Sequence, residues 1–556
     1  MIKTFLCIIL LSTLIFSCRS EQKDQSTHKH SAVSQFEISA DTKTLKVLFS
    51  HNINGETHPC GCRQFPLGGF APLAGLMHEI SSQESVQTLY LDTGNTFFPS
   101  TVVPSHVRDS LLFKAEAIAH SLKLVDLAFF TPGAQDFAAG QSFLSELLKK
   151  HEITSLTANL PQNTFSNQKK WAVLNHNDHK IFLVGLVTSN HLPRENQLRI
   201  APMKDTLRDM LSEIKQQGFD PDNNKHRLLV LSTSGINFDV ELAQEFPQID
   251  WIIGSHTQSF LNRPRVVNGV RIVQVLSRNH YLGEISLDLT KGKEFDDYRL
   301  LEVSESKAKS LEPNPLEAFL KNHLKELADV QLAEQERMGS SFSSEHQLIP
   351  TSASCIECHT PQAQKWMETT HSMAFWTLKK AGEPNNLSCV ECHSVGLNDP
   401  HGFQRSQDLV LFSNQLGQNE VEEQTLLAMR DKYWAAIEEE FDEIDSVRAL
   451  SPRELRKHSS RWMEIDRDHQ VAHNFSGVQC MNCHNQELDH PFDFGTPAQS
   501  YEQKREVMKN NCLACHDADQ SPGWYIKDEQ GLAVEVDHTV LKEMIEKIAC
   551  PSLEND

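Results

Sequence analysis

The sequence predicts a multidomain protein, a layered α/β body followed by a mostly α-helical C-terminal domain, and three observations predict it. Short apolar runs alternate with helical stretches up to about residue 302, and an apolar stripe at helical spacing follows them. Beyond residue 350, eight of the 13 cysteines fall in four Cys-x-x-Cys-His pentapeptides. At 556 residues the chain has room for several domains and buries a sizeable core. With 39% hydrophobic and 23% charged residues it is neither a multispan membrane protein nor a disordered chain. Its net charge of -22 repels phosphate backbones, which excludes nucleic-acid binding by a basic face.

Residues 1–18 read as an export signal. Lys3 supplies the positive start, and Phe5 to Phe16 form an apolar run too short for a permanent span. Ser17-Cys18 at its end resembles a bacterial lipobox, in which Cys18 would be diacylated and become the new N-terminus; ordinary cleavage with an incidental Cys18 is the alternative. Residues 19–44 are polar and without periodicity, as expected of a flexible tether. The expected location is therefore the periplasm or cell envelope, as a membrane-anchored lipoprotein.

The body spans 45–302. Lys46 to Phe49, Gln87 to Leu91, Leu127 to Thr131, Arg227 to Leu231 and Asp250 to Ile253 read as buried strands, and Thr206 to Gln217 as an amphipathic helix. Val266 to Asn268 and Val270 to Val275 flank the turn pair Asn268-Gly269, a hairpin signal. In the linker, 303–350, Leu316, Phe319, Leu320, Leu324, Leu327, Val330 and Leu332 predict a helix over Pro315 to Arg337 that packs its stripe on one domain.

The C-terminal domain, 351–550, carries the four motifs: Cys355 and Cys358 with His359, Cys389 and Cys392 with His393, Cys480 and Cys483 with His484, and Cys512 and Cys515 with His516. Two thiols three positions apart reach both vinyl groups of one haem, and the adjacent His turns onto the iron. The pattern predicts four covalently bound haem c groups. A low-spin iron needs a sixth ligand, for which His371 and His490 are the first candidates and His401, His473 and His538 further ones. His371 is expected on a helix running to Leu378.

This domain resembles the tetrahaem cytochrome c-554 family. The resemblance is carried by Trp366, His371 and Ala374 after the first motif, by Gly396 with Gly402-Phe403 after the second, by Gly477-Val478 before the third, and by Ser521-Pro522 after the fourth. It implies closely packed haems, mostly with two His ligands, passing electrons along a chain. Two departures stand out. Residues 406–468 are inserted, including an acidic helical stretch from Glu420 to Ile444, and Cys550 stands where the family pattern implies a His, leaving one axial position vacant or held by a thiolate.

The body's loops resemble the 5'-nucleotidase branch of the calcineurin-like metallophosphoesterases, which implies a four-layered α/β/β/α sandwich. They are Asn52-Ile-Asn-Gly55, Gly68 to Ala74, Leu91 to Asn95, Gly133 to Phe137, Leu231 to Gly235 and Ile253 to Gln258. The family's metal ligands do not carry over. Asn52, Asn54, Asn95, Ala134, Thr233 and Gln258 occupy ligand positions, Gln135 takes the place of the catalytic His, and His256 alone is kept. Neutral amides remove the charge that holds a divalent cation, so the two-metal hydrolysis of phosphoesters is not expected here. What the body gains is Pro59-Cys60-Gly-Cys62 before Gly68-Gly69, which looks like a subset of nucleotidase-like proteins where the second Cys can be selenocysteine. Cys60 and Cys62 are expected either to form a strained, redox-active disulfide or to bind a soft metal, a structural disulfide being the plainer alternative.

The expected function is electron transfer between redox partner proteins of the cell envelope, with the body as a docking or redox module. A multihaem oxidoreductase acting on a small nitrogen, sulfur or metal species is the alternative, and a 5'-nucleotidase-like hydrolase the second.

Overall fold

The computed structural model describes residues 33–59, 66–190, 192, 198–338, 347–416, 421–484, 488, 501–518, 520–527 and 533–551. Cys18, Cys60, Cys62 and His490, all singled out by the sequence, lie outside the described residues. No helix among the described residues is long and apolar enough to cross a membrane.

Two seven-stranded sheets form the body. In one, Thr44–Ser50, Val86–Asp92 and Leu127–Phe130 run parallel, and Tyr281–Asp288 closes antiparallel on Thr44–Ser50. In the other, His179–Leu186, His226–Ser232, Trp251–Gly254 and Val270–Val273 run parallel. The facing sides of the two sheets share a core that includes Val47, Phe49, Leu91, Leu229, Leu231 and Ile253. The outward side chains of the same strands, Leu48 and Tyr90 on one sheet and Leu228 and Val230 on the other, pack under helices. Both faces of each strand are thus buried, which is why these strands read as continuous apolar runs. The layers are α/β/β/α, as expected.

The expected strands are found with ends shifted by one or two residues; Asp250 precedes its strand and its carboxylate accepts from Leu228 N at 2.8 Å. The helix expected from Thr206 starts at Met203, which is buried in the outer core. Val267 and Val270 pair across Asn268-Gly269, both of which take positive φ, as a tight hairpin requires. One boundary is corrected. Val33–Glu37, expected in the tether, forms an edge strand parallel to Trp171–His176.

The linker helix, Pro315–Glu336, is N-capped by Asn314 and seats Leu316 and Leu320 in the core of the body. At its far end Gln335 grips the C-terminal domain: Nε2 donates to Asn385 O at 2.8 Å and Oε1 accepts from Ser406 N at 2.6 Å.

The C-terminal domain is mostly helical, with two small two-stranded sheets. The helix expected to carry His371 through to Leu378 is broken. Thr360–Met367 ends, Thr369 takes an extended conformation, His371 sits on a single 3-10 turn, and Ala374–Ala381 begins anew. Thr369 Oγ1 bonds back to Trp366 O at 2.7 Å, offering the backbone a stop in place of another helical turn. The acidic helix of the insertion spans Glu423–Phe441, shorter than expected, and a second helix follows at Pro452–Asp468. Their core, including Tyr433, Phe441 and Trp462, packs against Met373 and Trp376 beside the His371 turn.

Candidate functional site

The His371 turn is built by pieces that the sequence places far apart. Trp366 Nε1 donates to Val478 O at 2.8 Å, and Val478 N donates to His371 O at 3.0 Å. Gly477 holds φ +85°, and a Cβ there would lie 3.2 Å from Ser372 O and 3.3 Å from His371 O. The segment before the third motif and the Trp-to-His segment after the first therefore form one unit.

That unit places His371 beside the fourth motif. The ring centres of His371 and His516 are 6.3 Å apart, with their planes inclined by 57°. A metal–imidazole bond is about 2 Å, and each ring centre lies about 1 Å behind its nitrogen, so two imidazoles holding one iron would have ring centres about 6 Å apart. The separation of this pair matches that spacing. Burial, with the neighbouring His516 and His393, lowers the His371 pKa to about 4, so its ring is a neutral donor at ordinary pH.

Two of the motif rings are held from behind: His393 Nδ1 donates to Ala374 O at 2.6 Å, and Ser521 Oγ lies 2.8 Å from His516 Nδ1, which fixes the orientation of each ring. Trp524 stacks on His516 with centres 4.2 Å apart. The thiols of Cys355 and Cys480 are hydrogen-bonding neighbours, as are those of Cys392 and Cys515, so motif one meets motif three and motif two meets motif four. None of the eight motif cysteines is in a disulfide. His359 and His484 sit at the ends of their short motif segments, His359 half-buried and His484 exposed. His473 Nε2 donates to Ile349 O and His401 Nδ1 to Gln347 O, each at 2.8 Å, while His538 opens the last helix and is exposed. Cys550 Sγ is 3.9 Å from Gln362 O, in electrostatic range of Cys480. Sequence reasoning missed two residues. Arg448, in the insertion, lies within electrostatic range of both His393 and His516, and Trp524 gave no signal beyond its nearness to Ser521-Pro522.

In the body, the loops after the parallel strands converge at their carboxyl ends, where open α/β sheets place their sites. Asn52, Asn54, Asn95 and His256 all take left-handed backbone conformations. Asn52 Oδ1 accepts from Asn95 Nδ2 at 3.1 Å and from His256 N at 3.2 Å, and Asn52 Nδ2 donates to Thr257 O at 3.1 Å. Asn95 Oδ1 accepts from Gln135 N at 3.1 Å, and Thr233 Oγ1 from Thr188 N at 2.9 Å. Ala134 is buried and Gln258 exposed. Asp136 accepts four backbone N–H groups, from Asn95, Thr96, Phe97 and Gly133, and holds these loops in place. Burial raises its pKa to about 6 against those bonds. The side-chain amides of Asn52 and Asn95 thus bond to each other where the resembled family places metal ligands.

Fold and site together define two joined units, a phosphoesterase-like body with an amide network at its loop ends and a c-type cytochrome domain. The sequence profile of the family described as cytochrome c554 and c-prime matches residues 354–414, and haem c is the cofactor that match implies. Among curated proteins, an uncharacterized metallophosphoesterase, YunD of Bacillus subtilis, is 31% identical over 152 residues, covering 26% of this chain and 31% of that protein. A probable 5'-nucleotidase of Treponema pallidum is 27% identical over 209 residues, covering 35% and 32%. The chain spans a third or less of the length of the curated relatives it matches, between 24% and 33%. A solved 5'-nucleotidase precursor from Thermus thermophilus superposes with a TM-score of 0.43 at 16% identity, over 61% of this chain and 68% of that one. The chain joins a metallophosphoesterase/5'-nucleotidase-like domain to a cytochrome c554-like domain.

Proposed function

We propose that this chain is an exported, lipid-anchored tetrahaem c-type cytochrome that transfers electrons between redox proteins of the cell envelope. Its phosphoesterase-like body serves as a docking or redox module without hydrolytic activity. The observation that supports this reading is the pair His371 and His516, with ring centres 6.3 Å apart, in a domain carrying four Cys-x-x-Cys-His motifs. Haem c, when bound, supplies a one-electron couple at each attachment site. The chain's part is to hold it. Cys355, Cys358, Cys389, Cys392, Cys480, Cys483, Cys512 and Cys515 supply the attachment thiols, His359, His393, His484 and His516 the proximal ligands, and His371 and His490 distal ones. Ala374 O and Ser521 Oγ fix the orientation of His393 and His516, and the insertion covers the His371 turn from solvent. Cys18 carries the lipid anchor, and Cys60 with Cys62 forms a redox-active or soft-metal pair in the body.

The likeness to nucleotidases favours a second reading, hydrolysis of nucleotides or related esters. Against it, the Asn52 and Asn95 side-chain amides bond to each other, Asn95 Oδ1 also accepts from the Gln135 backbone N–H, and none of the three offers a carboxylate to a cation.

The test is the intact mass of the mature protein with its optical spectrum, oxidised and reduced. Four haem additions and predominantly low-spin irons are expected. Three or fewer additions in fully matured protein would overturn the tetrahaem assignment.

A further inference from the structure

Gln335, near the end of the linker helix, is tied to the second Cys-x-x-Cys-His motif as well as to its own helix. It is 2% exposed, and its amide closes a ring of three hydrogen bonds. Nε2 donates to Asn385 O at 2.8 Å, Oε1 accepts from Ser406 N at 2.6 Å, and Ser406 Oγ donates to Asn385 Oδ1 at 2.9 Å. Gln335 and Ser406 are both buried, so water does not readily replace these bonds when the amide is lost.

Both partners of that amide lead to the motif. On one side Asn386, the next residue, caps the short helix Leu387–Val390: its side chain accepts from Ser388 N at 3.2 Å and its carbonyl from Cys389 N at 2.9 Å. His393 N donates to Val390 O at 3.0 Å, so the motif His rides on the same turn, and its ring is held in place by the bond from Nδ1 to Ala374 O. On the other side the chain runs from Ser406 to Leu409 and Leu411, which pack in one core with Val390 and Cys389. One amide thus keeps the segment that opens the motif in register with the segment that packs against it.

The body stands behind this joint. Glu334 Oε1 accepts from Asp109 N at the start of the body helix Arg108–Leu124, and Arg337 Nη2 donates to Asp109 Oδ2 at 2.6 Å. From the same helix Lys114 interacts electrostatically with Glu383 and Cys389. Glu334 and Gln335 are adjacent in the chain and about 100° apart around the helix, one bonded to the body and the other to the motif segment.

We propose that Gln335 is a positioning residue for the haem of the second motif, through which the body sets the reduction potential of that haem. Potential follows the hydrogen bonding and orientation of the axial His and the burial of the group, and the bonds traced above run from Gln335 to that His. The proposal rests on the cytochrome reading and adds where the body acts, on one haem of four.

The four midpoints are measured by spectroelectrochemical titration of the full haem-loaded protein, with electron paramagnetic resonance of the oxidised state, in the parent, Gln335→Met, Asn386→Ala and the double variant. Gln335→Met keeps the length and apolar stem of the side chain and removes both amide bonds. It is expected to shift one midpoint by at least about threefold in its one-electron equilibrium, roughly 28 mV at 59 mV per tenfold, and to alter the low-spin signal of the same haem. Asn386→Ala should move that same haem, and the double variant should shift it by less than the sum of the two. If Gln335→Met does not mature, Ser406→Ala, which removes only the hydroxyl bond to Asn385, is read by the same criteria. Shifts all below threefold, a common shift of all four haems, or different haems answering to Gln335 and Asn386 would overturn the proposal. Intact mass keeps the two readings apart: fewer than four haem additions in the parent counts against the tetrahaem assignment, whereas four additions with no selective shift count against Gln335 alone.

Discussion

The rings of His371 and His516 lie with their centres 6.3 Å apart, although 145 positions separate them in the chain. One residue stands on a broken helix and the other ends the fourth Cys-x-x-Cys-His motif, and only folding brings them together. Replacing His371 with Ala should convert one low-spin haem to high-spin while the other sites keep their spectra. Electron paramagnetic resonance of the oxidised protein checks this, and an unchanged low-spin count would reduce His371 to a buried ring.

Gly477→Ala tests how that ring is held. The new Cβ would press on the carbonyls of His371 and Ser372, and the residue would be kept at φ +85°. A loss of about 1–2 kcal/mol is expected from the backbone alone, together with a changed spectrum at the His371 haem. Gly140→Ala is the control: φ is +94° there but nothing lies within 4 Å, so it should cost strain and leave the spectrum alone.

Asp239 gives a pH prediction. Burial raises its carboxyl pKa to about 7, against the bond from Gln274 Nε2 at 3.3 Å. Between about pH 4, where an unfolded Asp ionises, and pH 7 the folded state holds a proton that the unfolded state has lost. The stabilisation is therefore full below pH 4 and disappears as pH rises through 7, a change of roughly 4 kcal/mol. Asp239→Asn should match the parent near pH 4 and become the more stable protein by pH 8. Urea midpoints of both proteins across that range decide it; a constant difference would count against a buried neutral carboxyl.

The full-length protein should not hydrolyse nucleoside monophosphates, diphosphates or a chromogenic phosphoester with added Mn, Zn or Co. Turnover above about 1 s⁻¹ that depends on metal and on His256 would restore the hydrolase reading.

Much of this was legible in the sequence, for reasons that differ from element to element. Leu229 and Leu231 face one core and Leu228 and Val230 another, so a strand buried on both sides announces itself as an unbroken apolar run. The motif cysteines are readable because two thiols and a His must be adjacent in the chain to serve one haem. The break before His371 was only partly legible: Thr369-Thr370-His371-Ser372 is a run of weak helix formers, but the contact that fixes the turn comes from Val478, more than a hundred residues away. The helix Pro452–Asp468 could have been found: Ser451 and Glu454 form a capping box around Pro452. The amide pair of Asn52 and Asn95 shows in the sequence only as lost ligands; that these two substitutes bond to each other is a property of the folded loops.

The Pro315–Glu336 helix is rooted in the body by Leu316 and Leu320 and clasped at its end through Gln335, which sets a rule for how this chain can vary. Each residue of an α-helix advances about 1.5 Å and turns about 100°. A single inserted residue between Leu320 and Gln335 would swing the glutamine a quarter-turn and more away from Asn385 and Ser406, and everything beyond it would be carried round as on a screw thread. Seven inserted residues come nearly back into phase, about 10 Å further along. Lengths of this helix in natural variants are therefore expected to be quantised, in steps near whole pairs of turns, even where its exposed residues drift freely.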